Sequence, residues 1–157
     1  AVDAVMDLPS TDLNRIYATG ASQGGGLALA TGALHENVRA VLPDVAFLCN
    51  FRRGMDLTDE NPFRELARFF NVYPDKVDHF TKVLSYFDGV NFSRIATKPA
   101  LFSVGLMDEN VPPSTTFSAF NVYAGDKDIE VYPFAGHDGG GLHHFFKQTR
   151  WIQALES

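Results

Sequence analysis

A short strand-forming run that ends on glycine and passes at once into a helix is the feature that most constrains this chain. Arg15-Ile-Tyr-Ala-Thr-Gly20 is β-rich, and Gln23 to Leu34 reads as a helix of small and apolar residues. The reversal between them falls to Gly20-Ala21-Ser22-Gln23-Gly24. A turn this tight tolerates little bulk at its flanks, which accounts for Gly20, Ala21 and Gly24. Gly24-Gly25-Gly26 then opens the helix with the residue least suited to it short of proline, at about 1 kcal/mol each against alanine. A local rule broken in this way marks a functional position.

The same alternation continues downstream. Val38 to Phe47 is an apolar, β-branched run punctuated by Pro43, and Lys98 to Gly105 and Asp128 to Phe134 are two more. Between the last two, Pro112 to Gly125 opens with prolines that suit a first helical turn and closes on Gly125 as a C-cap, with Phe117, Phe120 and Tyr123 spaced for one face. Leu142 to Leu155 forms a final helix. Strands alternating with helices of this length predict an α/β fold, a mostly parallel sheet with helices on both faces. The interval from Asn50 to Ile95 is helical in pattern, dense in Phe and Arg, and broken by Pro62 and Pro74, and it reads as a helical excursion over the sheet. With 157 residues, the chain is expected to form one domain over 1–157.

Composition narrows the partners. The net charge is −6, and the longest basic cluster is Arg52-Arg53. Nucleic acids and anionic membranes both require clustered Lys and Arg, so neither is an expected partner, and a neutral small molecule is. Cys49 is the single cysteine, so no disulfide framework exists, and a buried, unreactive thiol is expected. No stretch approaches a membrane span, and nothing resembles a signal peptide. The chain opens at Ala1, within what reads as a helix tail from Ala1 to Leu8, so the natural protein is expected to begin further upstream.

Three polar residues follow strand ends, and parallel strands bring those ends to one edge, where ligands bind. Ser22 follows the run ending at Gly20, Asp108 the run ending near Leu106, and His137 the run ending at Phe134. A serine hydroxyl needs a base to take its proton, a carboxylate to orient that base, and donors for the oxyanion. The chain order Ser, Asp, His is that of α/β-hydrolases. Ser22 would attack, His137 act as base, Asp108 orient it, and the backbone N–H of Gln23 donate to the oxyanion. Asp126 is the reserve acid. His143 and His144 compete with His137 but fall inside the final helix, while His35 and His79 read as structural. No metal site is expected, since neither His-Glu-x-x-His nor paired cysteines occur, and the Gly139-Gly-Gly141 run lacks the lysine of a phosphate cradle. No cofactor is implied.

Beyond these residues the sequence resembles the acetyl xylan esterase and cephalosporin C deacetylase family of carbohydrate esterases. The resemblance rests on Arg15-Ile, Gly20-Ala-Ser-Gln-Gly-Gly-Gly26, Leu84-Ser-Tyr-Phe-Asp88 with Asn91, Lys98-Pro, Gly105-Leu-Met-Asp108 with Pro112-Pro-Ser-Thr115, Phe120-Asn121 and Phe134-Ala-Gly-His137. It implies that Ser22, Asp108 and His137 are nucleophile, acid and base of a deacetylase acting on short acetylated sugars and cephalosporins. It also implies a cytoplasmic bacterial enzyme assembled as a homo-oligomer. Two departures stand out. Asp138 follows His137 where the family has Glu, and the family's upstream Arg-Gly-Gln motif and oxyanion tyrosine are not in this chain, which looks like the C-terminal half of such an enzyme. Two rival readings follow: an inert α/β-hydrolase fragment that needs its N-terminal half, or another α/β-hydrolase such as a dienelactone hydrolase or peptidase.

Overall fold

A computed structural model describes all 157 residues. Four parallel strands, β1 (Tyr17–Ala21), β2 (Ala40–Asp44), β3 (Ala100–Gly105) and β4 (Lys127–Tyr132), form one sheet in the order β1-β2-β3-β4. Helix α1 (Val2–Met6) precedes β1, α2 (Gln23–Leu34) joins β1 to β2, α7 (Pro113–Val122) joins β3 to β4, and α8 (Gly141–Leu155) follows β4. The excursion between β2 and β3 comprises α3 (Phe51–Leu57), α4 (Phe63–Val72), a 3₁₀ turn at Pro74–Lys76, α5 (Val77–Ser85) and α6 (Gly89–Ser93). Every crossover is thus helical, as parallel pairing requires.

Strand residues alternate between two faces. Ala18, Val41, Ala100 and Phe102 point into a core shared with Ala28 and Leu29 of α2 and with Ala119 and Tyr123 at the end of α7. Phe102 is fully buried there, edge-on to Phe120 at 5.4 Å and Tyr123 at 5.5 Å, an arrangement that aromatic quadrupoles favour. On the opposite face, α8 lies beneath Leu42 and Asp44. A smaller core of Phe47, Phe51, Phe63 and Val111 fastens α3 and α4 to the sheet edge. Burial at 0–1% across Val41, Leu42, Ala100 and Phe102 explains why the central strands are apolar throughout rather than alternating.

Two expectations are corrected. β2 stops at Asp44, and Val45 turns away with φ 38°, so the apolar residues Val45 to Phe47 are buried loop rather than strand. Helix α7 ends at Val122, capped by Tyr123, and Gly125 is no helix cap. A Cβ on Gly125 would lie 2.6 Å from the Thr97 carbonyl oxygen, so it serves the close approach of the chain entering β4 to that entering β3. Cys49 is fully buried, and burial pushes its thiol far above the ordinary range, as expected of an unreactive core cysteine.

Candidate active site

The turn after β1 is strained. Ser22 has φ 56° and ψ −118°, a conformation that side chains seldom adopt. It is held from both sides, since its N–H donates to the Asp44 carbonyl at 2.9 Å and its own carbonyl accepts from the Phe47 N–H at 2.9 Å. The loop after β2 therefore clamps the elbow. That clamp explains most of the glycine run. A Cβ on Gly25 would sit 2.7 Å from the Asp44 carbonyl oxygen, and one on Gly26 only 2.2 Å from that of Phe47. A Cβ on Gly20 would meet the Gly24 backbone at 2.5 Å. Gly24 departs from expectation, because a Cβ there would meet nothing within 4 Å.

Asp108 and His137 are brought together. Asp108 Oδ2 lies 2.8 Å from His137 Nδ1, and Asp108 Oδ1 accepts from the N–H groups of Asn110 at 3.0 Å and Val111 at 2.9 Å. Only 5% of Asp108 is exposed. A carboxylate so deeply placed needs such compensation, and these partners fix its orientation. His137 is half-buried, with its Nδ1 engaged and its Nε2 left for another partner. No hydrogen bond links Ser22 to His137. Gln23 is the first residue of α2, so its N–H has no intrahelical acceptor, and it is exposed beside Ser22.

None of the competitors hydrogen-bonds to Asp108 or His137. Asp126 precedes β4 and Asp128 lies near its start, at the sheet edge away from Ser22. His143 and His144 belong to α8, His79 to α5, and His35 caps α2 while contacting Asp3 at 3.0 Å. No three His, Cys, Asp or Glu side chains gather as a metal site would need. The cavity bordering Asp108, about 310 Å³, is walled by Leu57, Thr58, Glu109 and Pro112, and neither Ser22 nor His137 lines it.

Sequence reasoning missed a second polar cluster directly under this edge. Asp44, at the end of β2, accepts from Ser103 Oγ at 3.1 Å and from Gln148 Nε2 at 2.9 Å, and His144 Nε2 lies 2.9 Å from its Oδ1. The other ring nitrogen of His144 meets the Tyr132 hydroxyl at 3.1 Å. Asp44 ends a strand just as Asp108 follows one. Its position was concealed because the apolar run continues past it.

The family model described as acetyl xylan esterase matches residues 1–155. The chain belongs to the acetyl xylan esterase family. Among curated proteins it is similar to an acetyl esterase, Axe7A, of Xylanibacter ruminicola, 29% identical over 138 residues that make up 87% of this chain and 30% of the relative. Among solved structures it superposes on an acetyl xylan esterase from Paenibacillus sp. R4 with TM-score 0.93 and 36% identity, covering 98% of this chain and 49% of that one. Acetyl xylan esterase 1 from Thermoanaerobacterium sp. JW/SL YS485 gives TM-score 0.85 and 36% identity, over 99% and 50%. This acetyl xylan esterase family chain thus spans about half the length of those solved relatives. Its likeness to acylaminoacyl peptidase from Pyrococcus horikoshii, TM-score 0.72 at 14% identity, reflects the fold alone and agrees with an α/β-hydrolase architecture.

Proposed function

We propose that this chain carries the catalytic residues of a serine carboxylesterase that removes O-acetyl groups from short acetylated sugars. The Asp108–His137 contact of 2.8 Å, at the sheet edge where the strained Ser22 turn also lies, carries this reading. Ser22 Oγ attacks the acetyl carbonyl while His137 Nε2 takes its proton, and the Gln23 N–H receives the oxyanion. Collapse of the tetrahedral intermediate leaves acetyl-Ser22 and expels the sugar oxygen, which leaves as a hydroxyl by taking the proton from His137. Water, deprotonated by the same imidazole, then attacks the acetyl carbon, and breaking of the bond to Ser22 Oγ releases acetate while Oγ takes the proton back from His137. Asp108 keeps the imidazole in the tautomer that presents Nε2 to the serine. The acetyl group is favoured by the names of the relatives, and a cytoplasmic homo-oligomer of the longer enzyme completes the proposal.

The test is acetate release from acetylated xylo-oligosaccharides and from p-nitrophenyl acetate by parent and Ser22→Ala. Loss of turnover by several orders of magnitude supports the reading, and hydrolysis at the parent rate ends it. The half-length span favours one alternative, an inert domain that becomes active only with further chain. A parent that is folded but hydrolyses no ester, and regains hydrolysis when upstream sequence is added, is the outcome that reading predicts.

A further inference from the structure

We propose that Asp44 and His144 are positioning residues, forming with Tyr132 and Ser103 a buried platform that sets where His137 stands relative to Ser22. This rests on the esterase reading above. The key juxtaposition is at Asp44: its carbonyl holds the Ser22 N–H at 2.9 Å, while its carboxylate gathers the groups beneath the His137 loop. One residue therefore touches the supports of both nucleophile and base.

The platform follows from strand alternation. Asp44 pairs in register with Ser103, and Gly105 with Tyr132, so Asp44, Ser103 and Tyr132 lie on the face covered by α8. From α8 come His144, 2% exposed, and Gln148, 7% exposed. The Tyr132 hydroxyl meets His144 Nδ1 at 3.1 Å, and His144 Nε2 approaches Asp44 Oδ1 to 2.9 Å, although its N–H is not aligned for a hydrogen bond. A buried imidazole placed this way gains little as a stabilising contact. Its position matters more, because the loop lies directly on Ser103 and on Tyr132, whose hydroxyl the imidazole holds.

Three successive glycines with positive φ, Gly139, Gly140 and Gly141, bring that loop down. A Cβ on Gly139 would lie 2.8 Å from Val45 Cγ1 and 3.0 Å from Ser103 Oγ, and one on Gly140 would lie 2.4 Å from the Tyr132 ring. The Gly140 carbonyl accepts from the His144 N–H at 3.2 Å. With the backbone resting on the cluster two and three residues after His137, a shift of Tyr132 or His144 is passed to the imidazole. Val45, a β-branched residue held at φ 38°, shows that this contact is kept against local strain.

The variants Asp44→Asn and His144→Gln test this, with Tyr123→Phe as control because its hydroxyl bonds the Lys98 carbonyl, at 2.7 Å, at the opposite end of β3. Two quantities are read in the folded protein: the low-field proton resonance of His137 Nδ1–H, assigned by its loss in His137→Gln, and the kinetics of p-nitrophenyl acetate hydrolysis. Both variants are expected to displace the resonance and to lower kcat roughly 10- to 100-fold at nearly constant KM, while Tyr123→Phe changes neither. Parent values in both variants, or equal changes in Tyr123→Phe, overturn the proposal. If Asp44→Asn does not fold, His144→Gln decides alone. If the parent lacks esterase activity, the functional reading fails by itself and the resonance still decides the platform.

Discussion

Ser22 is where conformational strain and the proposed chemistry coincide. Its φ of 56° and ψ of −118° cost on the order of 1–3 kcal/mol, offset by two backbone hydrogen bonds, one donated to the Asp44 carbonyl and one accepted from the Phe47 N–H. Ser22→Gly removes the steric part of that strain and is expected to raise the unfolding free energy in urea by about 1 kcal/mol while abolishing hydrolysis. A lower stability would contradict the strain assignment. Asp108→Asn keeps the volume and loses the charge that holds the imidazole. It is expected to lower kcat/KM by roughly 10³–10⁴-fold with the chain still folded, as steady-state kinetics and circular dichroism would show. Ser22, Asp108 and His137 could be singled out in the sequence because each lies shortly beyond a recognisable strand, one, three and five residues past the ends of β1, β3 and β4. Asp44 could not, because Val45, Ala46 and Phe47 are buried beyond it, and hydrophobic pattern cannot distinguish a buried loop from a strand.

At the scale of elements, the glycines of α2 separate into two kinds. Gly26 faces the Phe47 carbonyl with room for no side chain, so Gly26→Ala must push the β2–α3 loop away. A loss of about 1–3 kcal/mol is expected, together with lost activity, since the displaced loop also clamps Ser22. Gly24 meets nothing, so Gly24→Ala is expected to gain roughly 0.5–1 kcal/mol from helix propensity. Thermal unfolding of the pair gives opposite signs if the packing is as described. The run of three glycines was visible in the sequence, but its division was not, because it depends on which backbone passes each position. The excursion likewise read as helical in outline. Its attachment depends on Asp88, whose carboxylate accepts from the N–H groups of Asn50 at 2.9 Å, Phe51 at 3.2 Å and Val90 at 2.9 Å, a convergence that sequence spacing does not reveal.

Across the whole molecule, the parallel α/β layering was legible because strand and helix patterns alternate cleanly, and the candidate edge followed from topology once the strands were known. The distal edge of the sheet is tied by a different device. Glu156, at the end of α8, accepts from Tyr17 of β1 and contacts Arg15 and Arg39, each at 3.4 Å. The Tyr17 hydroxyl, followed by Arg39, holds the Glu156 carboxyl below its ordinary value near 4.5. A lowered folded-state value means that the stabilisation is present above about pH 4.5 and is lost as pH falls through that lower value. The melting-temperature gap between parent and Glu156→Gln is therefore expected to be full at neutral pH and to close on acidification. A gap that widens in acid would contradict the assignment. The most direct test of the central claim, that Ser22 is a nucleophile activated by His137 and Asp108, is labelling with a fluorophosphonate followed by peptide mass spectrometry. The account predicts one label per active chain, on Ser22, and its loss in His137→Ala. Esterase activity in protein that acquires no label at Ser22 would contradict it.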